Sequence, residues 1–258
     1  MFHVVYPMFE RGRIMKKELL LALRDYSFGL TRLQFQDWTD GIISGCNVSV
    51  KDNRLKVEPG MLKFNRFIYL MTEPQYVHYE ATEQVIAVKI RFSTTAASMT
   101  DYVNYSGVIV LDEEVELKEN ELEVCRFKLK QGSSLRHIYT GFEDMQTEYD
   151  TINLAHATWA GPERQGIALP ILKGFAKEAL TYSLLESWDV GFCNQGMTGE
   201  MIHRDVVEAY LRFHGMRISR KETNLEIYSM LLDVLRKLRG NMQPSQRAGR
   251  KRPVIVLD

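Results

Sequence analysis

The stretch that decides the fold is DGIISGCNVSVKDNRLKVEPGM, residues 40–61. Apolar and polar residues alternate on both sides of Asp52-Asn53, two residues that tolerate the left-handed conformations of a tight hairpin turn. Pro59-Gly60 follows and predicts a further turn. The sequence therefore predicts a small antiparallel β-unit directly after a helical segment, and this unit carries no catalytic grouping.

Length and charge limit the class of protein. The 258 residues have room for one large domain or two small ones, and 33 Lys and Arg balance 33 Asp and Glu. A neutral chain has no net field that draws it to nucleic acid or to an acidic membrane. The first residues lack a signal-peptide pattern, and no window reaches the roughly 20 apolar residues of a membrane span. We therefore expect neither a membrane nor a nucleic acid as partner.

The three cysteines are Cys46, Cys125 and Cys193, which lie far apart in the sequence. Zinc sites use closely spaced pairs, and none is present. We expect three reduced, mostly buried thiols in a protein made in the cytosol, with no metal site.

Periodicity predicts an α+β fold in five parts. These are an N-terminal arm with helices (1–41), an antiparallel β-sandwich or small barrel (42–147), a long connection that packs against the fold (148–169), a helical module (170–240) and an extended arm (241–258). Gly29 is expected to break the first helix, and a second short helix is expected over residues 31–40. The apolar phase changes by one residue within Glu121–Lys130, which predicts a β-bulge or a strand that crosses between sheets.

Three helices are predicted in the helical module. The first starts near Pro170 and extends to residue 184, and the second runs from about Thr198 to Phe213, with Phe213 facing inward. The third follows a capping box at Ser219-x-x-Glu222 and stops at Gly240. Its positions Leu225, Tyr228, Leu232 and Leu235 are spaced three and four apart, like one seam of a coiled coil. We interpret them as helix-packing positions, either within the chain or against a partner.

The C-terminal arm is basic and then apolar. Arg247, Arg250, Lys251 and Arg252 precede Val254, Ile255, Val256 and Leu257. An unpaired apolar strand can add to the edge of a neighbour's sheet. We therefore predict that Val254 to Leu257 dock onto another subunit.

Motifs for chemistry are missing from the sequence. It has neither the phosphate-binding loop of a nucleotide site nor the GxSxG elbow of a serine hydrolase. Glu200 and His203 are expected on one helix, but di-iron bundles need a second such pair. The expectation is a protein that is not an enzyme and holds no cofactor.

Four stretches together carry a resemblance: FERGRIMKKE (9–18), WTDGIISG (38–45), VEPG (57–60) and EVCRFKLKQG (123–132). The chain resembles a family encoded in tail modules of contractile prophages and phage-tail-like bacteriocins of Gram-positive bacteria, most clearly over residues 9–155. The resemblance implies a structural protein of the baseplate or of the tail-fibre attachment region. It also implies baseplate and tail-fibre proteins as partners, a homo-oligomer, and assembly in the host cytoplasm before incorporation into a tail particle.

Two other hypotheses remain open. Tail tips also carry β-sandwiches that bind surface glycans, and Tyr76, Tyr79, Tyr102 and Tyr105 are candidates for a stacking surface. The other is a cell-wall hydrolase, for which no residue is singled out.

Overall fold

The computed structural model describes residues 11, 14, 16–94, 97–98, 102–183 and 185–240, with the backbone alone at 97–98. The apolar end of the predicted arm, Val254, Ile255, Val256 and Leu257, lies outside the described residues. Docking by these four residues therefore stays a prediction.

Within these residues the chain forms five α-helices and eleven strands. The helices are α1 (Lys17–Gln34), α2 (Leu169–Ala179), α3 (Ser187–Thr198), α4 (Arg204–Phe213) and α5 (Asn224–Gly240). The strands are β1 (Gly41–Gly45), β2 (Val48–Lys51), β3 (Arg54–Val57), β4 (Gly60–Phe64), β5 (Phe67–Met71), β6 (Gln75–His78), β7 (Val85–Phe92), β8 (Ala97–Ser98), β9 (Val103–Asn104), β10 (Gly107–Asp112) and β11 (Glu121–Lys128).

The strands form antiparallel sheets, which confirms the α+β prediction. Three sheets have the strand orders β1-β4-β5, β2-β3-β6 and β10-β7-β11, and β8 pairs with β9. Among the described strands no sheet closes into a barrel, so of the two β-architectures the structure favours the sandwich. Phe64 of β4 stacks on Phe92 of β7, with ring centroids 4.0 Å apart, and so joins two sheets through their apolar faces.

The predicted hairpin and the predicted bulge are both confirmed. Lys51 pairs with Arg54, and Asp52 and Asn53 have φ angles of 50° and 55°, as a type I′ turn requires. In β11, Glu123 pairs with Lys89 of β7 and Cys125 pairs with Val88, so Val124 is the extra residue. At both places the local sequence pattern was sufficient to predict the backbone structure.

The predicted turn at Pro59-Gly60 is wrong. Gly60 is the first residue of β4 and pairs with Gly45 of β1, so the chain passes here from one sheet to another. A Cβ atom at residue 60 would lie 2.4 Å from the sulfur of Cys46. Glycine is present because two strands approach closely, and not because the chain reverses.

The two predictions for the N-terminal helices are also wrong. α1 runs unbroken through Gly29, because one glycine in a helix costs only about 1 kcal/mol. Residues 31–34 belong to α1, and Trp38 forms an isolated bridge with Pro162 instead of lying in a second helix.

The helical module differs from its prediction in its boundaries. α2 ends before residue 184, and α3 was not predicted. Gly199, with a φ angle of 76°, ends α3, and His203 caps α4, so the predicted second helix begins only at Arg204. Phe213 was expected to face inward, but it lies at the end of α4 and is 44% exposed.

The capping box of α5 lies one helical turn after its predicted place. The backbone N–H of Ser219 donates to Glu222 at 3.0 Å, but α5 begins only at Asn224. The reciprocal pair is Thr223 and Glu226: the Thr223 N–H donates to the Glu226 carboxylate at 2.6 Å, and the Glu226 N–H donates to the Thr223 hydroxyl at 3.2 Å. Both pairs match the sequence pattern of a capping box, but the second directly precedes α5.

The long connection packs into the fold, as predicted. The Ile42 N–H donates to the Thr158 carbonyl at 2.8 Å, and the Thr158 N–H donates to the Glu123 carbonyl at 2.7 Å. Ile152 and Ile167 are fully buried in a core that continues from the sheets into the helices. The division of the chain into five parts stays a prediction.

A buried ionic cluster lies on the central strand β7. The Lys89 ammonium is fully buried and donates to Glu121 at 3.0 Å and to the Glu116 carbonyl at 2.8 Å. Arg91 bridges Glu121 and Asp112 at 2.7 and 2.8 Å. Burial raises the pKa of Glu121, but the hydrogen bonds from Arg91 and Lys89 outweigh burial and lower this pKa to about 2.

This cluster predicts a pH-dependent stability. The folded pKa of Glu121 lies below its ordinary value of 4.5, so its contribution is complete above pH 4.5 and is lost as the pH falls towards 2. Glu121→Gln should lower the free energy of unfolding by about 3 kcal/mol at pH 7 and flatten its fall between pH 4.5 and 2.

Urea unfolding at a series of pH values measures both effects. Glu119→Gln is the matched control, because Glu119 is exposed in the preceding turn. Equal stabilities of Glu121→Gln and the parent chain at pH 7 would contradict the prediction.

Candidate interaction surfaces

The four predicted helix-packing positions lie on α5, where the structure buries them to different degrees. Tyr228 and Leu235 are almost completely buried, and Leu225 and Leu232 are half-buried against the same core. The Tyr228 ring stacks on Phe142, with centroids 4.7 Å apart. For Tyr228 and Leu235 the described fold therefore shows packing within the chain. Contact of Leu225 or Leu232 with a partner stays a prediction.

Metal-ligating and thiol side chains were the first groups expected to take part in chemistry. In the described part of the chain, no three His, Cys, Asp or Glu side chains come together to hold a metal ion. All three cysteines are buried, as predicted. Burial raises the pKa of Cys46 to about 11, and burial with the nearby charge of Asp189 raises that of Cys193 to about 12. Both thiols are therefore protonated at neutral pH.

The predicted Glu200–His203 pair does not lie on a helix. Both residues precede α4, and the His203 Nδ1 atom accepts a hydrogen bond from the Asp205 N–H at 3.2 Å. His203 thus satisfies a donor at the helix start, a structural role.

A polar cluster between α3 and α4 was missed from sequence. The Asp189 carboxylate is fully buried and accepts from the Tyr210 hydroxyl at 2.8 Å, and the His214 Nε2 atom lies 2.8 Å from the same oxygen. Its other oxygen accepts from the Glu186 N–H at 2.9 Å, as part of a capping box. Burial, reinforced by Asp189, raises the pKa of Tyr210 far above its ordinary value. The cluster ties two helices together, and the Glu186-x-x-Asp189 spacing was its signal.

The most unusual surface belongs to α1. In the part of the chain that the structure describes, none of the 18 residues of this helix is buried. Leu19 and Leu21 are half-buried. Six other large apolar side chains are exposed by 39 to 71%; they are Leu20, Leu23, Tyr26, Phe28, Leu30 and Leu33. Large exposed apolar surfaces mark sites of interaction. None of the described helices, α1 included, is long and apolar enough to cross a membrane.

α1 is held mainly at its C-terminal end. Phe35, directly after the helix, is buried in a small cluster with Ile43 and Ala160. The Lys63 ammonium of β4 donates to the carbonyls of Phe35, Gln36 and Trp38, at 2.8 Å for Phe35 and 3.0 Å for Gln36. A cation is favourable there, because the C-terminal end of a helix carries partial negative charge.

The four tyrosines of the glycan hypothesis do not share one surface. Tyr79 is buried and its hydroxyl donates to Asn53 at 3.1 Å. Tyr76 and Tyr105 are exposed and line a cleft of about 670 Å³ that also contains His78. Tyr102 is exposed but does not line this cleft. Only two of the four residues therefore come together.

No protein-family model and no curated protein matches the chain. Among solved structures it is similar, at 10% identity and a TM-score of 0.36, to a crystal structure of TssK, covering 93% of this chain and 72% of that chain. It is also similar, at 10% identity and a TM-score of 0.39, to a chain of the TssK-TssF-TssG baseplate subcomplex of the type VI secretion system, covering 93% of this chain and 100% of that chain. At these TM-scores the likeness is coarse.

The burial of α5 predicts unequal effects of two leucine truncations. Leu235→Ala should lower the free energy of unfolding by about 2–5 kcal/mol, because it leaves a cavity in the core. Leu232→Ala should cost clearly less, because Leu232 is half-buried. Urea unfolding of the two variants at equal protein concentration makes the comparison. A greater loss for Leu232→Ala would contradict packing within the chain as the main role of this helix.

Proposed function

We propose that this chain is a structural subunit of a phage or phage-like contractile tail, where it assembles in the baseplate and links it to tail fibres. The observation that carries the proposal is α1, whose large apolar side chains lie exposed. Most of the stability of a helix in a protein comes from the packing of its apolar face. The helix therefore gains most of its stability when another surface covers it, as in a subunit of a larger assembly.

The kind of assembly is inferred from the sequence motifs. The four stretches between residues 9 and 132 resemble proteins of contractile tail modules, and the apolar arm at residues 254–257 suits addition to a neighbour's sheet. The proposed partners are other baseplate and fibre proteins, joined in the host cytoplasm.

Removal of the C-terminal arm tests the proposal. A strain that lacks the gene is complemented either with the full chain or with a chain without residues 248–258, and particles are examined by negative-stain electron microscopy. We expect complete particles with the full chain and particles that lack fibres or baseplates with the truncated chain.

The matched control replaces Arg250 and Lys251 with Gln, which removes charge from the arm and keeps its apolar end. This variant should restore complete particles. Fibre-bearing particles from the truncated chain would refute the docking of the arm, and complete particles without any form of the chain would refute the tail role.

A glycan-binding module is the alternative function, favoured by the cleft that Tyr76 and Tyr105 line. We expect the purified chain not to sediment with cell walls above the level of an unrelated protein. Sedimentation that Tyr105→Ala abolishes would favour the alternative. The proposal also includes no reaction, so clearing of peptidoglycan in a zymogram would contradict it.

A further inference from the structure

The exposed side chains of α1 include a regular seam. Leu19, Leu23, Tyr26, Leu30 and Leu33 follow one another at intervals of four, three, four and three residues. This alternation is the heptad pattern of the a and d positions of a coiled coil, which place their side chains along one line of the helix. Leu19 is half-buried and the other four, from Leu23 onward, are at least 39% exposed; we call these five residues the α1 seam.

The charges of α1 avoid this seam. With Leu23 and Leu30 at a and the other three seam residues at d, every charged residue of the helix falls at a b or c position. These residues are Lys17, Glu18, Arg24, Asp25 and Arg32. Arg24 and Asp25 bond each other at 2.7 Å on that outer side.

The positions that flank the seam are neutral. In a coiled coil the e and g positions lie beside the seam and select partners by charge. Here they are Leu20, Ala22, Ser27, Gly29 and Gln34. Two identical helices would therefore meet without repulsion between like charges, and the small Ala22 and Gly29 leave room for close approach.

The side of α1 away from the seam faces the chain's own sheet. Phe28 and Arg32, with the flanking residues Ser27 and Gly29, line a groove of about 670 Å³ together with Phe67 and Leu70 of β5. None of the five seam residues lines this groove, so the contact with β5 leaves the seam to a partner.

We propose that the α1 seam binds the α1 seam of a second copy of this chain, so that subunits associate through a short coiled coil. Charged flanking positions select a particular partner in coiled coils, and here these positions carry no charge that would exclude a second copy. A second copy supplies the same alternation of apolar residues in the same length of helix. This self-association names one partner for the proposed assembly role. Only the location of the contact in a tail particle rests on the proposed function.

The mass of the purified full chain in solution tests the inference. Sedimentation equilibrium should give a mass at least twice the 29.9 kDa of one chain. Leu23→Glu combined with Leu30→Glu should weaken self-association at least about 100-fold, because both changes place charge in an apolar interface. Both residues are exposed in the single chain, so circular dichroism and the unfolding midpoint should stay near those of the parent.

The matched control is Lys17→Gln combined with Arg24→Gln, two exposed residues at b positions that do not line the groove against β5. It changes the net charge by the same amount, but on the outer side of the helix, so it should associate like the parent. A parent chain that stays monomeric at tens of micromolar overturns the inference and leaves the seam to another protein or to a terminal segment of the same chain. A double Glu variant with the parent's mass overturns it as well.

A cross-link locates the contact. Tyr26 lies near the middle of α1, so Tyr26→Cys should form a disulfide between two chains on addition of a thiol oxidant, whichever way the helices run. Arg24→Cys, on the outer side, should not. The native cysteines are buried and do not compete. Absence of the Tyr26→Cys dimer, or equal yield from Arg24→Cys, refutes contact through the seam.

These results are independent of the tail experiment. If the chain self-associates through α1 but particles form without it, the contact through the α1 seam is supported and the role in the tail is refuted. If the chain is monomeric but particles do not form without it, the role in the tail is supported and the contact through the α1 seam is refuted.

Discussion

Phe142, in the segment between β11 and α2, is the residue that joins α2 to α5 within the apolar core. Its ring stacks on Tyr228 of α5 and meets Phe175 of α2 edge-on, with centroids 5.7 Å apart. Its N–H donates to Glu178 of α2 at 2.7 Å, and its carbonyl accepts from the Tyr228 hydroxyl. Because the ring and both backbone groups are engaged, the packing of α2 and α5 around this segment depends on Phe142.

The structure could be predicted from the sequence where a local pattern is compatible with only one backbone conformation. The turn at Asp52-Asn53 needs two left-handed residues, and the bulge at Val124 follows from a period of two that slips by one. Prediction from the sequence was wrong where the same residue type can serve two structural purposes. Gly60 allows a close approach of strands, and a glycine at residue 29 is tolerated within a helix. Which use applies is decided by contacts with residues distant in sequence.

The interaction surface shows the same limit. α5 and α1 both carry apolar residues at intervals of three and four, but a packing seam was predicted only on α5. The fold buries Tyr228 and Leu235 of α5 and leaves Tyr26 and Leu30 of α1 exposed. Spacing fixes which side chains share a helix face, but burial depends on what the tertiary structure places against that face. The restriction of charge to the b and c positions of α1 was the signal available in the sequence.

The anchor of α1 determines what self-association would do to the rest of the molecule. Lys63 is buried without a carboxylate partner among the described contacts, and its ammonium directs hydrogen bonds to three carbonyls just after the helix. Three acceptors match the three donors of an ammonium, so the position at which the chain leaves α1 is fixed relative to β4. A helix held in this way cannot turn freely about its end. Pairing of two seams would therefore set the orientation of the attached sheets. A short contact between two helices would in this way fix the relative orientation of two whole subunits.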